Sequence, residues 1–416
     1  LAVGKPVCIA KSGRSEAGAK AAASHTASLA GAWPAFEATC RRWGVYLFET
    51  IYDLLQGAVL LQRGKRVTGH GVAIFSGSGG GGALLTDGLE AHGLRPAELS
   101  AQTQEAVATV LPASHRQLPF DFGMLNHTAT PDPEVAGGSI GIALDRAMHD
   151  PAVGSGILLL TTQPGQEMVV QAAISAANRS SKPLLFVQGA GNHGEIARQM
   201  LRDAGHGYFD SLHDALSVLQ VLTHRREPEP ATVADPGVAI PADLPGGFLT
   251  EPDARRLLEA AGIPTTRWQF AGDAEAAVQA ARALGDAVVI KAVIPRIIHK
   301  SDMGGVKLDL ADADAVRAAY GQIEAAARCV GARFQGCLVQ PMVQGDAELM
   351  IGTVYDEQFG PFVLVGTGGT LVELTKDTCL LPAPVSLRAA EQALRSLRYF
   401  PLLDGAGKLT HQFLVV

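Results

Sequence analysis

Val72-Ala73-Ile74-Phe75-Ser76-Gly77-Ser78-Gly79-Gly80-Gly81-Gly82 carries a short apolar run into a glycine-dense turn, and an amphipathic stretch follows from about Ala83. The succession reads as strand, glycine loop, helix. Further apolar runs at Val7 to Ala10, Ile157 to Leu160 and Leu184 to Val187 alternate with longer amphipathic segments, which places the chain in the α/β class with parallel sheets. A glycine loop ahead of a helix also suits an anion, because bare backbone N–H groups and the positive helix end converge there. Gly79, Gly80, Gly81 and Gly82 are therefore candidate phosphate-binding residues. The loop lacks the Lys-Ser/Thr of a P-loop and the acidic residue that reads a ribose. Glycines kept only for tight packing are the competing reading.

Working outward, residues 1–61 give a strand, a small-residue segment, a helix near Trp33 to Arg42, a short strand at Val45 to Phe48 and a helix at Ile51 to Leu61, as in the second half of a flavodoxin-like domain. Gln62 to Gly69 is a polar connector, and residues 70–224 form a second doubly wound unit. From 225 to 247 the chain is rich in Pro, Glu, Gly and Ala and reads as a linker. Residues 248–416 begin with a helix capped by Thr250 and closed by Gly262-Ile263-Pro264. Beyond it, strands at Cys337 to Met342, Glu348 to Val354, Phe362 to Val365 and Leu371 to Leu374 are too close for βαβ crossovers, so antiparallel pairing is expected. At ~150 residues per domain, 416 residues amount to three.

Two stretches carry chemistry of their own. Ser24-His25-Thr26-Ala27-Ser28-Leu29-Ala30-Gly31 offers a histidine among small residues. An imidazole with a pKa of about 6.5 is largely neutral near pH 7 and attacks phosphorus without a separate base, so His25 is a candidate phosphoryl carrier in a mobile loop. A structural histidine at a helix start is the plainer alternative. Ala287-Val288-Val289-Ile290-Lys291 puts a lysine at the end of an apolar strand, where its ammonium suits a nucleotide phosphate. Most strand-end lysines are merely solvated.

Composition excludes several classes. With 34 basic and 41 acidic residues the net charge is -7, and no basic block or aromatic run points to nucleic acid. Five cysteines without paired spacing argue against a disulfide frame or a zinc knuckle and fit a reducing cytoplasm. No segment approaches the ~18 apolar residues of a membrane helix. Leu1 is not a methionine, and Leu1-Ala2-Val3-Gly4-Lys5-Pro6 reads like the approach to an interior strand, so the expectation is that further chain lies upstream.

VVIKAV, HKSDMGGV, VQPMV, AELMIG, FGPFVLVGTGGTLVEL and FPLLDG, in this order, resemble the ATP-grasp portion of the NDP-forming acyl-CoA synthetases, the family of the ADP-forming acetate-CoA ligases and, more distantly, succinyl-CoA synthetase. KPVCIAKSGRSEAGAKAAASHTASLAG is similar to their phosphohistidine segment. The resemblance implies two flavodoxin-like units, the first partial, followed by an ATP-grasp domain that is incomplete at its C-terminal side. It also implies a relay: acyl-CoA and phosphate give acyl phosphate and CoA, a histidine takes the phosphoryl group, and ADP receives it. His25 matches the carrier and His299 the histidine near the nucleotide. Lys291 matches the phosphate lysine, with Lys300 beside it. Gln340, Pro341, Met342 and Val343 match the adenine hinge. Glu348 is implied at the nucleotide and Glu373 at Mg2+, either of which is otherwise a solvated strand carboxylate. The implied ligands are ATP or ADP, Mg2+, coenzyme A and a small carboxylic acid; the oligomeric state stays open, a homo-oligomer being one expectation.

Relatives carry glycine where Ala27 stands and an Asn-Ala-Gly-Gly-Pro-Gly type of loop where this chain has Ser76 to Gly82. Their CoA-binding domain corresponds to nothing here, and Leu409 to Val416 departs from their closing strand pair, so an enzyme inactive as this piece is one expectation. Two other classes stay open: an acyl-CoA or nucleotide sensor region of a protein acetyltransferase, and an ATP-grasp carboxylate-amine ligase. The acid is not legible.

Overall fold

The computed structural model describes residues 4–26, 32–123, 138–161, 166–189, 191–225, 228, 238, 240–285, 287–297, 300–343, 345, 347–369 and 375–404. The chain divides into two compact units, one of residues 1–231 with Thr353–Val363 and Leu380–Pro384, the other of the remainder.

In the first unit β1 (Cys8–Ala10), α1 (Glu16–Thr26), α2 (Trp33–Arg42), β2 (Tyr46–Phe48) and α3 (Ile51–Gln62) precede a larger βα array. That array runs β3 (Gly71–Ser76), α4 (Gly79–Ala91), β4 (Arg95–Pro96), α5 (Ala101–Ala108), β5 (Phe120–Asp121), α6 (Gly138–His149), β6 (Ser155–Leu160), α7 (Glu167–Arg179), β7 (Leu184–Gln188), α8 (Glu195–Asp203) and α9 (Leu212–His224). Its parallel sheet has the order β4-β3-β6-β7, with β5 also beside β3. Every residue of β3 is buried, and period two divides them between opposite faces. Ala73 and Phe75 join Leu158, Phe186, Leu144 and Val170 in one core; Val72 and Ile74 join Ile157, Leu185, Leu85 and Leu219 in another. A continuous apolar strand is thus the signature of a sheet wound on both sides.

Tyr46, Phe48 and Leu61 belong to that second core. The blocks at 1–61 and 70–224 therefore share one core. The connector between them is clasped as well. Arg63 donates to the carbonyl oxygens of Ala204 (3.2 Å) and Gly205 (2.8 Å) and to Asn178 Oδ1 (2.7 Å), and Lys65 donates to the carbonyls of Ala177 and Ser180. Charge-assisted bonds to helix-end carbonyls satisfy groups that the helices leave open. His206, buried beside these two cations, is pushed down to about 4 and stays neutral.

The second unit opens with α10 (Glu251–Ala260), β8 (Gln269–Ala271), α11 (Ala274–Leu284), β9 (Val288–Val293), β10 (Val306–Leu310), α12 (Ala313–Cys329) and β11 (Gly336–Pro341). The sheet has the order β10-β9-β11-β8, antiparallel at every pairing. Val288, Ile290 and Ala292 of β9 and Cys337 and Val339 of β11 pack against Val278, Ala281, Val316 and Ile323 of α11 and α12. Alternation then sends Val289, Lys291, Leu338 and Gln340 to the opposite face. β12 (Leu349–Asp356), β13 (Gly360–Thr367) and β14 (Thr378–Pro382) form a three-stranded sheet in that order, its Thr353–Val363 and Leu380–Pro384 counted with the first unit, and helices at Leu387–Ser396 and Phe400–Leu403 follow. Leu371 to Leu374, expected as a strand, lie outside the described residues. Among the described residues no helix is long and apolar enough to cross a membrane.

Candidate functional site

The face of β9 and β11 turned away from α11 and α12 holds a cluster of charges that the helix start at Glu251 organises. Lys291 lies inside β9, not at its end as the sequence suggested, because the strand continues through Ala292 and Val293. Its ammonium donates to Glu251 Oε1 at 3.1 Å, and Lys300 donates to Glu251 Oε2 at 2.6 Å. Arg255, one helical turn after Glu251, donates to the same Oε1 (3.1 Å), to Thr266 Oγ1 (2.8 Å) and to Gln340 Oε1 (2.5 Å), and is only 3 % exposed. The three cations and one carboxylate leave two surplus positive charges in a partly buried cluster. That imbalance is what a polyphosphate neutralises.

Proton affinities follow from the crowding. Burial alone would raise Glu251, but Lys291 and Lys300 overcome it and hold the carboxyl at about 2. Burial lowers Lys291, Glu251 opposes that shift, and Arg255 and Lys300 add to it. Arg255 is the brace of the set. Arg255→Ala is expected to destabilise the second unit by about 2–3 kcal/mol, since it strips a buried charged donor from Glu251, Thr266 and Gln340. Urea unfolding reads this directly, and a midpoint equal to the parent's would refute it.

Gln340 lies in β11 with its side chain 1 % exposed and bonded to Arg255, so the expected adenine hinge keeps only backbone groups at that position. Pro341 ends the strand, the Met342 N–H donates to the Ala287 carbonyl (2.8 Å), and Val343 follows, half-buried. The Glu348 carbonyl accepts from the Gly368 N–H at 2.7 Å, and a Cβ on Gly369, where φ is +74°, would meet Glu348 Oε2 at 2.7 Å. Glycine there lets the backbone pass the carboxylate, which is in no ion pair among the described residues. His299 and Glu373 lie outside the described residues.

In the first unit Gly79 to Gly82 are not a loop but the first turn of α4, because the Ser78 hydroxyl caps it by accepting from the Gly81 N–H (3.4 Å). A Cβ would meet Leu159 at 2.5 Å on Gly81 and Pro119 at 2.9 Å on Gly82, so both glycines serve close packing, whereas Gly80 is open. The turn stands at the carboxyl end of β3 next to β6, where the strand order reverses and α/β sheets bind ligands. His25, expected in a mobile loop, has its backbone in the last turn of α1, since the alanines and Lys20 before it favour helix. Its side chain lies outside the described residues.

Sequence reasoning missed Glu251, Arg255 and Thr266. The i,i+4 spacing of an acid and an arginine is visible in the sequence, but the segment read only as a helix start capped by Thr250.

Residues 1–61 match the succinyl-CoA ligase like flavodoxin domain, and residues 245–412 match an ATP-grasp domain. The ADP-forming acetate–CoA ligase I of Archaeoglobus fulgidus is 30 % identical over 415 residues, covering 96 % of this chain and 58 % of that protein. The beta subunit of ADP-forming acetate–CoA ligase I of Pyrococcus furiosus is 37 % identical over 160 residues, covering 38 % of this chain and 69 % of the subunit. The chain belongs to the ADP-forming acyl-CoA synthetase family. Its α/β architecture is the family's: a partial flavodoxin-like unit, a second one and an ATP-grasp domain. Acetyl-coenzyme A synthetase 1 of Ca. Korarchaeum cryptofilum is similar at 37 % identity with a TM-score of 0.37, over 41 % of this chain and 75 % of that one. The chain spans a little under three fifths of the length of the Archaeoglobus relative.

Proposed function

We propose that this chain is the catalytic part of an acyl-CoA synthetase that interconverts acid, CoA and ATP with acyl-CoA, ADP and phosphate through a phosphohistidine. The observation that carries the reading is the Lys291–Lys300 pair, two half-buried ammonium groups with charge to spare beside the sheet of a segment that matches an ATP-grasp domain. The names of relatives aligned over nearly the whole chain support the acid, CoA and ADP. Inorganic phosphate attacks the acyl carbonyl of acyl-CoA, and the thiolate of CoA leaves. The His25 imidazole then takes the phosphoryl group and releases the carboxylate, and a terminal ADP oxygen accepts it to give ATP. Transfers of this kind need positioning and charge neutralisation more than covalent assistance. His299 stands by resemblance near the nucleotide end, and Gly79 to Gly82 at the acyl end.

Among the described residues no three His, Cys, Asp or Glu come together as a metal cage. Mg2+ in nucleotide sites asks for less, one or two carboxylates besides phosphates and water, and Glu348 with Glu373 would supply them. When bound it neutralises phosphate charge. We place the protein in the cytoplasm, which its free cysteines support.

The test is ATP formation by the full-length protein from acetyl-CoA, ADP, phosphate and Mg2+, followed by luciferase emission. Luminescence that requires both phosphate and the acyl-CoA is expected. Luminescence absent with every acyl-CoA offered, from a protein that binds them, would favour the sensor reading. Consumption of ATP only with an amine and an acid would favour the carboxylate-amine ligase.

A further inference from the structure

The acid at the mouth of the lysine pair has no role in the relay as written, yet it touches both cations. Lys291 comes from β9 and Lys300 from the turn that follows, and their side chains are 17 % and 15 % exposed. Two ammonium groups so placed repel each other in a medium of reduced dielectric. Glu251 separates them with one oxygen each, and among the described residues it is the one carboxylate within ion-pairing distance of either. Arg255 fixes that carboxylate from behind and is itself tied to Thr266 and Gln340. The arrangement is a carboxylate, seated at the start of α10, that holds two cations at the spacing of its own oxygens, a spacing close to that of two phosphate oxygens.

Resting on the reading of this cluster as the nucleotide-phosphate site, we propose that Glu251 is a positioning residue that holds the Lys291 ammonium aligned with that of Lys300 until the phosphates of ADP arrive. The carboxylate is not a substitute for the ligand, since the cluster still carries two surplus positive charges with Glu251 in place. The charged groups facing Lys291 are Glu251 and Arg255 from α10 and Lys300 from the turn after β9; β10 and β11 set the neutral Val306 and Leu338 opposite it. Of these only Glu251 favours the ammonium form. Without its charge, burial and the two cations act unopposed, and Lys291 gives up its proton at a lower pH.

The consequence is a binding curve whose pH dependence is created by a mutation. ADP binding to the parent protein, measured by calorimetry, is expected to vary by no more than about twofold between pH 7 and 9, because Glu251 opposes the burial and the two cations that work against the Lys291 ammonium. In Glu251→Gln it is expected to weaken by roughly tenfold over the same interval, since burial and the two cations then act on Lys291 unopposed. Glu251→Asp, which retains the charge at shorter reach, is expected to restore the flat profile even if its affinity is lower, and it keeps the test open should the glutamine variant fold poorly. A flat profile in Glu251→Gln, or a loss of affinity equal at every pH, would overturn the assignment while leaving the phosphate site standing. Absence of ADP binding by the folded parent protein would overturn both.

Discussion

Lys291→Met is expected to weaken ADP binding by roughly 100-fold or more, while the thermal midpoint of the second unit holds or rises. Lys291 sits on the polar face of a strand whose other face is the apolar core against α11 and α12, so a straight apolar side chain of similar length fits without disturbing that core. Its charge is a burden to the fold. The proton affinity is lowered in the native state, so at neutral pH the folded protein holds a proton that burial opposes, and stability from this group increases only as pH rises past the lowered value. A residue maintained at a cost to folding and paired with a carboxylate that leaves its neighbourhood still positive is best explained by an anionic ligand. Binding within about threefold of the parent, measured by calorimetry, would mean that the phosphates lie elsewhere.

His25→Ala is expected to reduce ATP formation from acyl-CoA, ADP and phosphate by roughly a thousandfold or more with ADP binding unchanged. The split between turnover and binding follows from the division of labour. Lys291, Lys300 and Glu251 belong to the second unit, whereas His25 is in α1 of the first. Alanine removes the proposed nucleophile and leaves the charges proposed to hold the nucleotide, and it suits a helix at least as well as histidine. Turnover above about a tenth of the parent's would exclude the histidine as an obligatory carrier.

The doubly wound character of the first unit was legible because β3, β6 and β7 are apolar on both faces, a pattern that a half-exposed strand does not show. The union of residues 1–61 with the array after them was not, since Tyr46, Phe48 and Leu61 declare themselves apolar but not against what they pack. The second site divides in the same way. Lys291 stood out as a charge on an apolar strand, whereas Glu251 and Arg255 read only as part of a helix start after Thr250. What makes them part of the site is the fold of α10 onto the strand face, which buries Arg255 and sets Gln340 across from it. Local pattern likewise gave the Gly79 to Gly82 turn but not the cap that makes it helix, because Ser78 acts through a bond whose geometry depends on the chain direction.

The most direct test of a histidine-borne phosphoryl group is labelling of the full-length protein with γ-labelled ATP and Mg2+, followed by peptide mapping. The account predicts an acid-labile, base-stable label on the peptide that contains His25, lost on adding a carboxylic acid and CoA and absent from His25→Ala. Label of equal strength in His25→Ala, and again in His299→Ala, would contradict it.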